Sequence, residues 1–121
     1  MTARVDKTES AVGVIRGTLN ADIVQADWNK IIGVSVNGSG KIVRGGAAGL
    51  ILGVIIADAT NYKAGQRCDI IKLGEIIEDT GLAAGTVYYA DATTGLLTTT
   101  STSNTKIGQT IEADRLVVNA P

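Results

Sequence analysis

Apolar residues in this chain fall in short runs rich in Ile, Val, Leu and Thr, each closed off by Gly, Asn or Asp. Runs of that length and composition predict β-strands joined by turns. Residues 31–36 and 41–44 bracket Asn37-Gly38-Ser39-Gly40, the clearest hairpin, because Asn-Gly tolerates the positive φ that tight β-turns demand. Gly45-Gly46 then breaks the chain, and residues 50–57 read as a continuous apolar strand around Gly53. Residues 66–72 and 75–78 follow as strands separated at Gly74. Residues 86–90 and 96–100 pair through residues 91–95, and residues 106–112 and 115–118 complete the set. Near the start, residues 11–19 hold the short apolar run Val12-Gly13-Val14-Ile15. Residues 20–32 are the one helix candidate: Asn20 is placed to cap it, and Ile23, Val24, Trp28, Ile31 and Ile32 recur near helical spacing. Their β-branched content argues equally for a single helical turn ending near Trp28, and both readings stand.

Residues 1–10 alternate in charge sign and have no apolar face. They predict a flexible N-terminal arm ahead of one β-rich domain, residues 11–121. A length of 121 residues suits a single domain, and a chain of this mass buries about two thirds of its unfolded surface. Phe is absent and the aromatic content is 3%, so the core must be built from Ile, Val and Leu. Ala-Asp-Ala-Thr occurs at residues 57–60 and again at 90–93, but the spacing of such echoes is unequal, which excludes a solenoid. The expectation is a mainly β fold: a small single-domain β-barrel or β-sandwich with at most one short helix.

Charge and composition narrow the function classes. The formal net charge is −1 and the basic residues are scattered, so no phosphate track forms and neither nucleic acid nor a membrane is an expected partner. The N-terminus is too polar for a signal peptide, and the longest uncharged apolar run, residues 47–57, falls well short of the roughly 20 residues a bilayer requires. Histidine is absent, which removes the commonest general base, the Ser-His and Cys-His pairs and most zinc sites. Cys68, the single cysteine, reads as a small buried hydrophobe rather than a nucleophile. Asp58 and Asp91 start turns and suit backbone capping, not acid–base work. Gly45-Gly46-Ala47-Ala48-Gly49 lacks the Lys-Ser/Thr ending of a phosphate loop. Ile70-Ile71-Lys72-Leu73 with Ala84-Gly85-Thr86-Val87 is faintly similar to biotinyl and lipoyl carrier domains. Lys72 lacks their acidic and Met neighbours, however, and reads as a solvated strand-edge charge. The Ser/Thr run at residues 98–103 reads as an exposed strand and loop. No enzyme activity, cofactor or metal is expected.

The order of elements in residues 82–118 is distinctive. Ala84-Gly85 stands ahead of a Val87-Tyr88-Tyr89 strand, Thr94-Gly95 makes a turn, a Thr/Ser-rich strand follows, and Ile107-Gly108 opens the next. From about Gly49 to Val118 the chain resembles the decoration (cement) proteins that coat tailed-bacteriophage capsids. That resemblance implies a structural virion protein, made in the bacterial host cytoplasm and bound to the outer capsid surface. It implies a homotrimer on the phage major capsid protein at three-fold or quasi-three-fold positions, stabilising the expanded shell. In some such proteins an N-terminal arm orders only on the capsid, which would make Thr2, Ala3, Arg4, Val5 and Lys7 capsid-binding residues. The alternative is a phage head-fibre or tail-associated β-module with glycan binding as its role, for which Tyr88-Tyr89 is the one aromatic pair.

Residues 50–56 are apolar at successive positions, so both faces of that strand need cover. One face suits the domain's own core. The other is expected to meet a second subunit through Leu50, Leu52, Val54 and Ile56.

Overall fold

The structure, a computed structural model, describes residues 15–120. In chain order it runs β1 (Ile15–Thr18), a 3₁₀ turn (Gln25–Asp27), β2 (Ile31–Val36), β3 (Ile42–Arg44), β4 (Gly53–Ile56), β5 (Arg67–Ile70), β6 (Leu73–Glu78), β7 (Val87–Ala90), β8 (Leu97–Thr98), β9 (Thr105–Glu112) and β10 (Arg115–Asn119). These strands form three sheets: β1-β5, β3-β2-β4 and β6-β10-β9-β7-β8. None closes into a barrel, so the fold is a small, layered, all-β domain.

The three-stranded sheet is the middle layer. Alternation along β2 sends Ile32 and Val34 to one face and Ile31 and Gly33 to the other, and on β4 it separates Ile55 from Val54. Ile32, Val34, Ile42 and Ile55 pack with Leu19, Ile23, Cys68 and Ile70 in one core. Ile31 and Val54 pack with Ile77, Tyr88, Ile107, Leu116 and Val118 in a second. Sequestering both faces of the middle sheet is what makes β2 apolar almost throughout, with Ile31 through Ser35 all buried.

The layers are joined where glycines let backbones touch. Gly33 N–H donates to Gly95 C=O at 2.6 Å, and Gly45 N–H donates to Gly33 C=O at 2.8 Å. A Cβ on Gly33 would collide with that of Ala90, so only glycine lets the β7–β8 hairpin lie this close to β2.

The hairpin around residues 37–40 forms as read, with Val34 opposite Arg44 and Val36 opposite Ile42. Its chemistry differs from the expectation in one respect. The positive φ, 80°, belongs to Gly40, while Asn37 works through its side chain. Its Oδ1 accepts from Ser39 N–H at 2.9 Å and from Lys41 N–H at 3.0 Å. Of the two readings of residues 20–32, the single turn is the correct one. Asn20 caps nothing: its N–H donates to Ile42 C=O at 2.9 Å. The Trp28 indole N–H ties back to Ile23 C=O at 2.9 Å, and Ile31 and Ile32 already belong to β2. Gly74 also departs from its expected role. It lies inside β6 at φ 81°, where a register shift against β10 marks a bulge. The actual break is at Lys72, whose C=O accepts Ala120 N–H at 2.9 Å.

Candidate functional site

The side-chain hydrogen bonds of Asp58, Asp91 and Arg44 hold turns and elements together. Asp58 Oδ1 accepts from Thr60 N–H at 2.8 Å and from the Thr60 hydroxyl at 2.6 Å. Asp91 Oδ1 accepts from Thr93 and Thr94 N–H, both at 2.8 Å. These hydrogen bonds favour the ionised carboxylates and hold both below their ordinary range. Both aspartates are therefore turn caps, as their positions suggested. Arg44 bonds in two directions, with Nη1 donating to Asp27 Oδ2 at 2.7 Å and Nε to Thr94 C=O at 2.8 Å. Its guanidinium holds the Asp27 carboxyl low and ties the 3₁₀ turn, β3 and the residue 91–95 turn together.

Cys68 is buried in the first core, and its S–H donates to Asn61 C=O at 3.3 Å. Burial pushes the thiol up, and the charges of Asp69 and Asp58 push it further, which is the opposite of what a thiolate nucleophile needs. Among the described residues no group of three His, Cys, Asp or Glu could hold a metal. No helix among them is long and apolar enough to cross a membrane.

Two recesses stand out on the surface of the described residues. One, of about 220 Å³, is mostly aliphatic, with Leu19, Ile23, Val34, Ile42 and Ile55 below Asn20 and Asp22. The other, of about 400 Å³, lies among Arg16, Ile56, Asn61, Arg67, Asp69 and Ile71. There Arg16 Nε meets Asp69 Oδ1 at 2.9 Å, but both side chains are more than half exposed, so the pair contributes little. Neither recess gathers the converging groups of a catalytic site.

The structure separates the four residues expected at a subunit interface. Val54 is fully buried in the second core, Leu52 packs on the first core and Ile56 on the second, and only Leu50 projects, 66% exposed. The premise that one face of this strand lacks cover is corrected: the chain covers both faces itself, because the five-stranded sheet lies over Val54. Thr2, Ala3, Arg4, Val5 and Lys7, and the boundary at residue 10, lie outside the described residues.

The surface that does lack cover is elsewhere. On the five-stranded sheet, Ile77, Tyr88, Leu116 and Val118 point inward. The outward positions include Ile76, Val87 and Val117, and the register sets Ile76, Val117, Gln109 and Val87 side by side across four strands. Leu73 and Ile111 stand further along, 58% and 53% exposed. Sequence reasoning missed this row. Its signal was present in the doublet Ile76-Ile77 and the triplet Leu116-Val117-Val118, where a one-faced strand should alternate with polar residues.

Comparison with known proteins adds a likeness of fold. A solved chain from Mycobacterium phage Patience superposes with a TM-score of 0.74 at 20% identity, over 97% of this chain and 95% of that one. No family model and no curated protein matches the sequence.

Proposed function

We propose that the chain is a structural virion protein that binds the outer surface of a phage capsid and stabilises the expanded shell. It works as a homotrimer seated on the major capsid protein at three-fold or quasi-three-fold positions, and it acts by binding, not by catalysis. The observation that carries this reading is the fold shared over nearly the whole chain with a protein of Mycobacterium phage Patience. The order of glycines and strands in residues 82–118, which resembles capsid decoration proteins, supports it independently. So does a surface with an exposed apolar row and, among the described residues, no catalytic constellation.

The mechanism is mass action. A protein that binds only the assembled lattice stabilises that lattice by its binding free energy. A trimer touching several capsid subunits gains further through effective concentration. The arm, with Thr2, Ala3, Arg4, Val5 and Lys7, adds contacts on the capsid.

The test mixes the protein with expanded, undecorated capsids of its phage and pellets them. Saturable co-sedimentation and a raised capsid disruption temperature are expected, and absence of binding overturns the reading. Deleting residues 2–7 is expected to weaken binding at least tenfold. Equal binding by the truncated chain would remove the arm from the contact.

A further inference from the structure

The turn between β2 and β3 sets an electrophile beside a nucleophile. Asn37 is the one asparagine of the chain that is followed by glycine. Its side-chain carbon Cγ stands next to the backbone nitrogen of Gly38, and a bond between the two closes a five-membered ring. Three features favour that attack. The Asn37 side chain is folded forward along the chain, with Oδ1 accepting from Ser39 N–H at 2.9 Å and from Lys41 N–H at 3.0 Å. Those two donors stand where negative charge develops on Oδ1 as the ring closes, which is how an oxyanion is stabilised. The nucleophile is also uncommitted. Asn37 N–H donates to Lys41 C=O at 2.9 Å and Gly40 N–H to Asn37 C=O at 3.0 Å, while among the described residues nothing accepts from Gly38 N–H. The site is open as well. Gly38 is exposed, it places no side chain beside the reacting nitrogen, and a Cβ built on it would meet nothing within 4 Å. The leaving nitrogen Nδ2 is held only by Asn20 Oδ1, at 3.2 Å on the exposed surface.

We propose that Asn37 is a site of spontaneous deamidation in the folded protein, with water as the co-reactant. Gly38 N gives its proton to solvent base and bonds to Asn37 Cγ. The Cγ–Nδ2 bond breaks, and Nδ2 takes up a proton and leaves as ammonia. Water then opens the succinimide at either carbonyl, which leaves an aspartyl or an isoaspartyl linkage at position 37. Either product adds a negative charge to a chain of formal charge −1. Either also replaces the N–H that Asn20 Oδ1 accepts with a carboxylate oxygen. The isoaspartyl product further lengthens the backbone by one methylene, inside the turn that sets Val36 opposite Ile42. Asn61 and Asn104 lack this arrangement. Their Oδ1 atoms reach back along the chain, to Asp58 N–H at 2.7 Å and Ala92 N–H at 2.9 Å, and each is followed by a residue with a side chain, Tyr62 or Thr105. The chemistry is independent of what the protein binds.

The full chain is aged in mildly alkaline buffer, one sample folded and one unfolded in guanidinium chloride, and tryptic peptides are followed by mass spectrometry over time. The peptide of residues 31–41 is expected to gain the mass of an amide-to-acid exchange and to elute as two isomers, while the peptides that carry Asn61 and Asn104 stay intact. The folded chain should convert at a rate within about tenfold of the unfolded one, because the reacting pair is already assembled. Conversion in the folded chain slower than that overturns the proposal, since the turn would then protect Asn37. An aspartyl product without its isomer also overturns it, because direct hydrolysis by water needs no ring. Gly38→Ala gives a second readout. Its Cβ has room and the backbone at Gly38 is not left-handed, so the fold should be unchanged by circular dichroism. The added methyl group beside the nitrogen should slow conversion by about tenfold or more. Undiminished conversion in that variant removes Gly38 N as the nucleophile.

Discussion

The middle sheet and the five-stranded sheet make opposite use of apolar residues. β4 is apolar at every position after Gly53, yet it offers almost nothing to a partner, because Val54 and Ile55 each enter a core. β6 and β10 are broken by charges at Glu75, Glu78 and Arg115, yet they present Leu73, Ile76 and Val117 outward. An unbroken apolar run therefore marks the inside of a layered protein, and apolar residues on the wrong side of an alternating strand mark an apolar patch left on its surface.

The largest expected effect tests the inner half of that contrast. Ile55→Ala empties a fully buried site between layers and should cost about 3 kcal/mol in urea denaturation. A loss under about 1 kcal/mol would mean that the first core closes over the gap. Next comes the clasp between elements. Arg44→Met takes from Asp27 and Thr94 C=O the donor they share, leaving Asp27 only Lys30 Nζ at 3.5 Å, and should cost about 2 kcal/mol. It should also change the acid response. Asp27 is held below its ordinary 3.8 in the folded protein. Its contribution is therefore complete above that value and is lost as pH falls through the folded pKa. Denaturation of the variant should show a shallower loss of stability on acidification than the parent, and parallel pH curves would exclude Asp27 as the cause. The smallest effect tests the outer half. Ile76→Ala, measured by urea denaturation at low protein concentration, should shift stability by no more than about 0.5 kcal/mol. A larger loss would place Ile76 in the fold's own packing.

Local chemistry was legible and layering was not. Asn37-Gly38 announced the first hairpin, and Asp91 announced the turn between β7 and β8, because those side chains act on backbone within three or four residues of themselves. The fold class followed from the same short-range signals. Layering is a long-range property: Val54 finds its cover among residues 77–118, and nothing near Val54 says so. The triplet Leu116-Val117-Val118 is mute for a related reason. Two of its members face the core and one faces out, and only the pairing with Ile76 and Gln109 tells which. The helical spacing of residues 20–32 left two readings open because Ile31 and Ile32 belong to a strand whose two faces are both covered.

Cys68 turns the molecule into its own clock. The chain has one thiol, closed in the core between β5 and the middle sheet and made sluggish by burial. An alkylating reagent reaches it only when that layer lifts, so the labelling rate counts openings without any probe being attached. The five-stranded sheet lies on the far side of the middle layer, and nothing bound to its outer face can shield the sulfur directly. Labelling that slows when the protein binds a partner there would report tightening carried through the whole stack. Labelling that does not change would report a surface occupied over a domain that breathes as before.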